Sequence, residues 1–206
     1  MTITGDQLKI IMPSMTDERS SAIAGLINSL FPVYGITNRY AVAAFLANLV
    51  HESNGFSNKS ENMNYTASRI VAVWPSRFKT VVDAQPFARN PEALANKVYG
   101  GRMGNRLPND GWLFRGAGFI QLTGREMFFA YQKYIDFDST EKLAITIRTD
   151  DYYAMDSACW IFAIAKDLVK LSEKQQFKEV CHRINGGYIG YDERLLLYNK
   201  ILKILK

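Results

Sequence analysis

Cysteine and histidine are both scarce, two of each in 206 residues, and they do not cluster. Without a Cys/His grouping at metal-ligand spacing, no zinc site is expected. His51-Glu52 does not open an HExxH motif, because the second His would fall at Gly55. Cys159 lies in the apolar run SACWIFAIA and Cys181 in a second helical segment; buried free thiols fit these settings better than a bridge. No apolar run reaches the roughly 20 residues of a bilayer span, so stable membrane insertion is not expected. The N-terminal stretch MTITGDQLKIIMPSM has no basic n-region, no compact apolar core and no small-residue cleavage site. The expectation is therefore synthesis and initial retention in the cytoplasm without a secretory signal. Dense Lys/Arg blocks, nucleic-acid-binding motifs, repeats and low-complexity segments are missing as well.

What is present is ordinary for a globular protein: 48% hydrophobic and 22% charged residues. That excludes a disordered chain and is long enough for one domain over residues 1–206 with a sizeable core. The net charge of +5 and a pI near 9.1 favour an acidic polymer as partner. Nucleic acid, anionic headgroups and a bacterial envelope all satisfy that, and charge alone does not choose among them.

Helical periodicity dominates. Apolar positions recur at helical spacing from about Asp6 to Leu30, and a second helix is expected from about Asn38 to Ser53. Its stripe is Val42, Phe45, Leu46, Leu49 and Val50; Glu52 falls about 90° from the stripe's centre, on the margin between core and solvent. Asn54-Gly55 supplies a stop. Residues 66–99 read as helical pieces interrupted at Pro75, Pro86 and Pro91. The segment YGGRMGNRLPNDGW (99–112) reads as an irregular surface excursion of the kind that walls a cleft. Further on, Asp150-Asp151 caps an apolar helix to about Leu168, and Ser172 with Gln175 reads as a capping box for a helix ending near Ile184. Asn185-Gly186-Gly187 stops that helix, and Asp192 caps the last one. Strand signals are too brief for a sheet, so the fold class expected is mainly α.

Two glutamates stand out. Glu52 ends an apolar helix, and Glu61 follows nine residues later among Ser60, Asn62, Asn64 and Tyr65. Glycoside hydrolysis needs one protonated carboxyl to serve the leaving oxygen and one ionised carboxyl to activate water or attack. Desolvation at the edge of an apolar helix suits the acid, and a hydrated polar loop suits the base. Spacing alone favours the plainer reading, a helix end and a solvated charge, since nearby Glu pairs are common. In RGAGFIQLTG (115–124), glycines 116, 118 and 124 imply close approach to the backbone, by a ligand or by packing. Gln121 and Thr123, two apart in an extended piece, would share a face able to hold an N-acetyl group and a water. Arg194 sits unfavourably in the first turn of the last helix; a partner carboxylate would explain it, though a solvated Arg is the more ordinary reading. Tyr65, Trp74 and Trp112 read either as sugar platforms or as core. The edge of Lys200, Lys203 and Lys206 reads as a solvated face of a docked helix or as an envelope-attracting tail.

Taken in order, these pieces resemble the family 19 glycoside hydrolases, in particular compact phage endolysins related to plant-type chitinases. The matching stretches are His51-Glu52-Ser53-Asn54-Gly55-Phe56, Glu61-Asn62-Met63-Asn64-Tyr65, Val98-Tyr99, Arg102-Met103-Gly104-Asn105 and Asp110-Gly111-Trp112. Arg115-Gly116 with Gly118, Ile120-Gln121-Leu122-Thr123-Gly124, Ile184-Asn185-Gly186-Gly187 and Arg194 complete them. The similarity runs from about residue 33, and the N-terminal segment matches less clearly. Two positions depart from the pattern: Ala117 stands where an Arg is common between the glycines, and Met127-Phe128 where an Asn-Tyr pair is common.

The resemblance implies a lysozyme-like fold with two lobes flanking a substrate cleft and no separate wall-binding domain. It implies an inverting mechanism with Glu52 as general acid, Glu61 as general base and Thr123 positioning the water. Gln121, Asn185, Tyr65, His51 and Trp112 would bind sugar, and Arg194 would support the carboxylates. No metal or organic cofactor is implied. The expected substrate is bacterial peptidoglycan, cut between N-acetylmuramic acid and N-acetylglucosamine. The expected setting is host lysis by a monomer that accumulates in the host cytoplasm and reaches the wall through a holin, with no nucleic-acid partner. A chitinase of the same fold and a non-catalytic wall-binding or toxin-delivery module are the alternatives.

Overall fold

The structure, a computed structural model, describes residues 1–53 and 55–205. Asn54, expected in a helix stop, and Lys206, the end of the lysine edge, lie outside the described residues. The helices are α1 Gly5–Ile11, α2 Asp17–Val33, α3 Arg39–Glu52, α4 Ala67–Val73, α5 Val81–Ala84, α6 Pro91–Tyr99, α7 Asp110–Leu113 and α8 Arg125–Tyr134. They continue with α9 Thr140–Thr149, α10 Asp151–Trp160, α11 Val169–Glu173, α12 Phe177–Asn185 and α13 Tyr191–Ile204. A 3-10 turn (Gln85–Phe87) follows α5, and a π-helical turn (Ile161–Ala165) follows α10. Extended pairing among the described residues is confined to isolated antiparallel bridges, Ser60–Ala117 and Ala117–Leu122. The mainly α expectation therefore holds.

The chain forms two compact units, neither continuous in sequence. The first comprises Met1–Lys59, Gly118–Ile120 and Asp150–Lys206; the second comprises Ser60–Ala117 and Gln121–Thr149.

In the first unit α3 is the central helix, with α11, α12 and α13 packed on it. Asn38 caps it, accepting from the Tyr40 N–H at 2.8 Å, and Ser53 ends it, as the pattern predicted. The apolar stripe nevertheless understates the helix, because every residue from Ala41 to Val50 is buried. Alanines 41, 43, 44 and 47 occupy the remaining sides and let neighbours approach closely, so the helix is apolar all round. Asn48 is the polar exception, fully buried at mid-helix. Phe45 packs edge-on against both Phe31 and Phe162. The last helix docks on α3 with Arg194, Tyr198 and Ile201 buried, and Lys200 donates to the Ile11 carbonyl at 3.3 Å.

Two cap assignments change. Ser172 does not open a helix: it is buried inside α11 and its hydroxyl donates to the Leu168 carbonyl at 2.8 Å. Gln175 adopts a left-handed conformation (φ 59°) that breaks the chain, and α12 starts only at Phe177. Asp192 lies within the first turn of α13, whose N-cap is Gly190. That glycine is required twice over: its φ is 71°, and a Cβ would come within 2.6 Å of His51 Nε2. Asp150 does cap α10, which runs through the π turn to Ala165, short of Leu168. Both thiols are buried and unbridged, and burial pushes the Cys181 thiol up to about 11.

The second unit is built on Met63, Ile70, Phe78, Leu94 and Val98, with Tyr65, Trp74 and Trp112 partly buried against them. Tyr65 and Trp74 meet edge-on with ring centres 5.3 Å apart. Pro91 starts α6 rather than interrupting a helix, since its missing N–H is an orphan there anyway. Residues 100–109 are irregular and largely at the surface, as expected, but two side chains pin the segment. Asn105 and Asp110 are buried, and the Asp110 carboxylate accepts from the Arg106 and Leu107 N–H groups (2.8 and 2.9 Å) and from Arg125 Nε (3.0 Å). Asn105 donates to the Tyr99 carbonyl and accepts from the Arg125 N–H. Two side chains thus supply the partners that regular structure would otherwise give this backbone.

Candidate active site

The residues singled out from sequence fall into two sets. Glu52, His51, Asn185 and Arg194 belong to the first unit; Glu61, Tyr65, Trp112, Gln121 and Thr123 belong to the second.

Glu52 is the last residue of α3, where the helix dipole disfavours an anion, and Arg194 sits in the first turn of α13, where it disfavours a cation. Each supplies the charge the other lacks: Arg194 Nη2 donates to Glu52 Oε1 at 2.5 Å, and its Nη1 donates to Asn48 Oδ1 at 2.9 Å. Asn48 is fixed in turn by donating to the Ala44 carbonyl at 2.8 Å. The Arg194 side chain is only 3% exposed and Glu52 24%, so the guanidinium is locked while the carboxylate still reaches solvent. Desolvation beside a greasy helix is therefore not the whole setting of Glu52; a guanidinium partner is part of it. His51 is exposed, its ring lying against Gly190. Burial and then the Arg194 charge hold it below the usual histidine value, against the pull of Glu52 and Glu193. Asn185 is exposed, and its amide donates to the Ile189 carbonyl at 3.1 Å, closing the loop before α13.

Glu61 is half-buried, and its frame is not the neighbouring Asn and Ser side chains that sequence suggested. The Tyr99 hydroxyl donates to Oε1 at 2.7 Å and the Gly116 N–H to Oε2 at 3.0 Å, while the Glu61 N–H donates to the Gly116 carbonyl at 2.9 Å. Burial, and the Glu61 carboxylate beside it, push the Tyr99 phenol far above its usual value, so it remains a donor at any working pH. Arg115 and Arg148 are close enough for their charges to act on Glu61. The Arg115 guanidinium stacks on the Trp112 ring at 3.3 Å and donates to Ser60 Oγ at 3.2 Å.

Gln121 and Thr123 do not share an extended face. Ala117 and Leu122 exchange backbone hydrogen bonds at 3.0 and 2.8 Å across a turn that contains Gln121. The turn sets the exposed Gln121 amide over Gly116, next to Glu61; Thr123 is half-buried just after the bridge. The glycines accordingly yield to the chain itself: Gly116 to Gln121, and Gly124 (φ 88°) to Met103. Phe128, one of the departures from the family pattern, is fully buried against Phe114.

Gly116→Ala tests this packing. A Cβ there would lie 2.5 Å from Gln121 Oε1 and 3.2 Å from the Glu61 Cβ. The amide can swing away, so the variant is expected to fold with at most about 1–2 kcal/mol lost. Its activity is expected to fall at least tenfold, because a displacement on the order of 1 Å at a reacting group is costly. Urea denaturation and turnover measured on one preparation check both halves.

Sequence reasoning assigned no role to Tyr99, Asn48 or Arg148. A lone Asn in the middle of an apolar helix was a usable signal for Asn48, and the family-matching Val98-Tyr99 for Tyr99; nothing local marks Arg148.

No family model matches the chain. A glycosyl hydrolase family 19 domain-containing protein of Haemophilus influenzae is 33% identical over 171 residues, covering 82% of this chain and 82% of that protein. Among solved structures, chitinase C from Streptomyces griseus matches 98% of this chain and 76% of its own, with a TM-score of 0.63 at 17% identity. A bacterial family 19 chitinase matches 100% of this chain and 95% of its own, with a TM-score of 0.67 at 17% identity. The two structures establish the lysozyme-like fold of family 19 chitinases. The sequence relative establishes more: this chain belongs to glycosyl hydrolase family 19 and is a glycoside hydrolase.

Proposed function

We propose that the enzyme hydrolyses the β-1,4 bonds between N-acetylmuramic acid and N-acetylglucosamine in bacterial peptidoglycan, with inversion, as a phage endolysin. The observation that carries this reading is that the two motif carboxylates are held in different donor frames. In this reading Glu52, with Oε1 on a locked guanidinium, gives the leaving oxygen a proton carried on Oε2, and because the guanidinium favours the ionised carboxyl, giving up that proton is the favourable direction. Arg194 then stabilises the carboxylate left behind. Glu61 has a neutral donor on each oxygen and two guanidinium charges nearby, a setting for an ionised base with lone pairs to spare for water. An inverting route requires the two carboxyls to stand roughly 6.5–9.5 Å apart, with one water between them.

In this scheme Thr123 helps position that water, and Gln121, Asn185, Tyr65, His51 and Trp112 bind the sugars. The net charge of +5 supports an acidic wall polymer over uncharged chitin. The enzyme would act as a monomer, released from the host cytoplasm through a holin. The test is a digest of purified peptidoglycan, reduced with borohydride and read by mass spectrometry, beside chitin oligosaccharides. New muraminitol ends support the proposal. Glucosaminitol ends, anhydro sugars or cleavage of chitin alone each overturn it.

A further inference from the structure

Arg148, near the end of α9, is unusual among the arginines of the second unit. Its Nη2 donates to the Leu113 carbonyl at 2.8 Å and to the Arg115 carbonyl at 2.7 Å, and its Nη1 donates to the Ala144 carbonyl. Among the described residues its guanidinium hydrogen-bonds carbonyl oxygens alone, and its buried Nε has no partner. A half-buried cation without a carboxylate in hydrogen-bond reach is a poor stabiliser of a fold. Burial, with Arg115 nearby, holds it down to about 9.

One of these carbonyls matters chemically. The Arg115 C=O and the Gly116 N–H are the two ends of a single peptide unit, and that N–H donates to Glu61 Oε2 at 3.0 Å. The order is guanidinium, carbonyl, amide, carboxylate. A cation on the carbonyl polarises the peptide and makes its N–H a stronger donor, the cooperative effect of linked hydrogen bonds in a low dielectric. Among the described residues Arg148 and Glu61 make no direct hydrogen bond or ion pair, so Glu61 keeps lone pairs that a bidentate salt bridge would consume.

We propose that Arg148 is a positioning residue that acts on Glu61 through the Arg115–Gly116 peptide, fixing the orientation of that carboxylate and favouring its ionised form. The proposal rests on Glu61 being the general base, and its test separates the two claims. In Arg148→Met, kcat is expected to fall roughly tenfold, less than the 10²–10³ lost when a donor is removed outright. KM should stay within about twofold, since no sugar contact is altered, and the acid limb of the kcat/KM profile should move to higher pH. Arg148→Lys keeps the charge without the fork, so it should restore most of the limb position but not the full kcat.

NMR reads the relay without activity. The Gly116 amide proton should resonate downfield and titrate with pH in the wild type, lose that titration in Glu61→Gln, and shift upfield in Arg148→Met. If the Gly116 resonance and the acid limb stay put while stability drops, Arg148 is structural and the proposal fails. If Arg148→Met does not fold, the same resonance in Arg148→Lys decides: an unmoved, fully titrating signal with unchanged kcat overturns it. An active Glu61→Gln sinks the base assignment, while the Gly116 shift still judges the relay.

Discussion

Glu52→Gln is expected to abolish turnover while binding to wall fragments persists. Glutamine keeps an acceptor for Arg194 at the position of Oε1, so the frame built from Asn48 and Arg194 survives. What disappears is the proton for the departing sugar oxygen, and that leaving group has no comparable donor. Acid and base functions are each worth roughly 10²–10⁴ in rate, and Glu52→Gln should lie at or beyond the upper end. Glu61→Gln should be severely impaired yet measurable, because an unassisted water remains a weak nucleophile. Clearing of permeabilised cells measures turnover, and co-sedimentation with purified wall measures binding. Near-wild-type clearing by either variant would overturn the roles given to both glutamates.

The second large effect concerns stability and centres on the same ion pair. Glu52→Leu strands the Arg194 guanidinium, whose side chain is 3% exposed, and is expected to cost about 3–5 kcal/mol. Arg194→Met should cost less, about 2–3 kcal/mol, because Glu52 can turn to water and only Asn48 is left with an unmet acceptor. Removing both charges in Glu52→Leu with Arg194→Met should restore part of the loss, since an apolar pair of similar volume often replaces a buried ion pair without penalty. Urea unfolding of the single and double variants gives the coupling energy. Strict additivity would mean that the two side chains do not depend on each other. Each sits at the wrong end of its own helix for its charge, a local cost of the kind that concentrates at functional sites.

How much of this was legible in sequence depends on the range of the interaction. The limits of α3 were readable because Asn38 and the apolar periodicity are local signals, and so was the position of Glu52 at its end. The family motifs singled out both glutamates, but the awkward placement of Arg194 left a partner carboxylate and a solvated Arg both open, and Glu52 proves to be the partner. The frames around them were not readable. Arg194 meets Glu52 across 142 residues, Tyr99 meets Glu61 across 38, and Gly116 meets Glu61 across 55. Local chemistry also misled. Ser172 and Gln175 have the spacing of a capping box, but Ser172 bonds backward into its own helix. Gln121 looked extended because its neighbours alternate, and the Ala117–Leu122 bridge makes that stretch a turn. The glycines of 115–124 left a ligand and packing equally open as the cause of a close approach, and it is packing: Gln121 lies against Gly116 and Met103 against Gly124.

The most direct single measurement is the anomeric form of the first product, followed by 1H NMR within the first minutes of digestion of soluble wall fragments. Direct displacement of a β-linked sugar by a water on Glu61, with Glu52 protonating the leaving group, gives the α-anomer first, and mutarotation then raises the β signal. A β-anomer at the earliest times would mean retention, with a carboxylate or the substrate's own 2-acetamido group attacking the sugar, and the base role derived for Glu61 would be wrong.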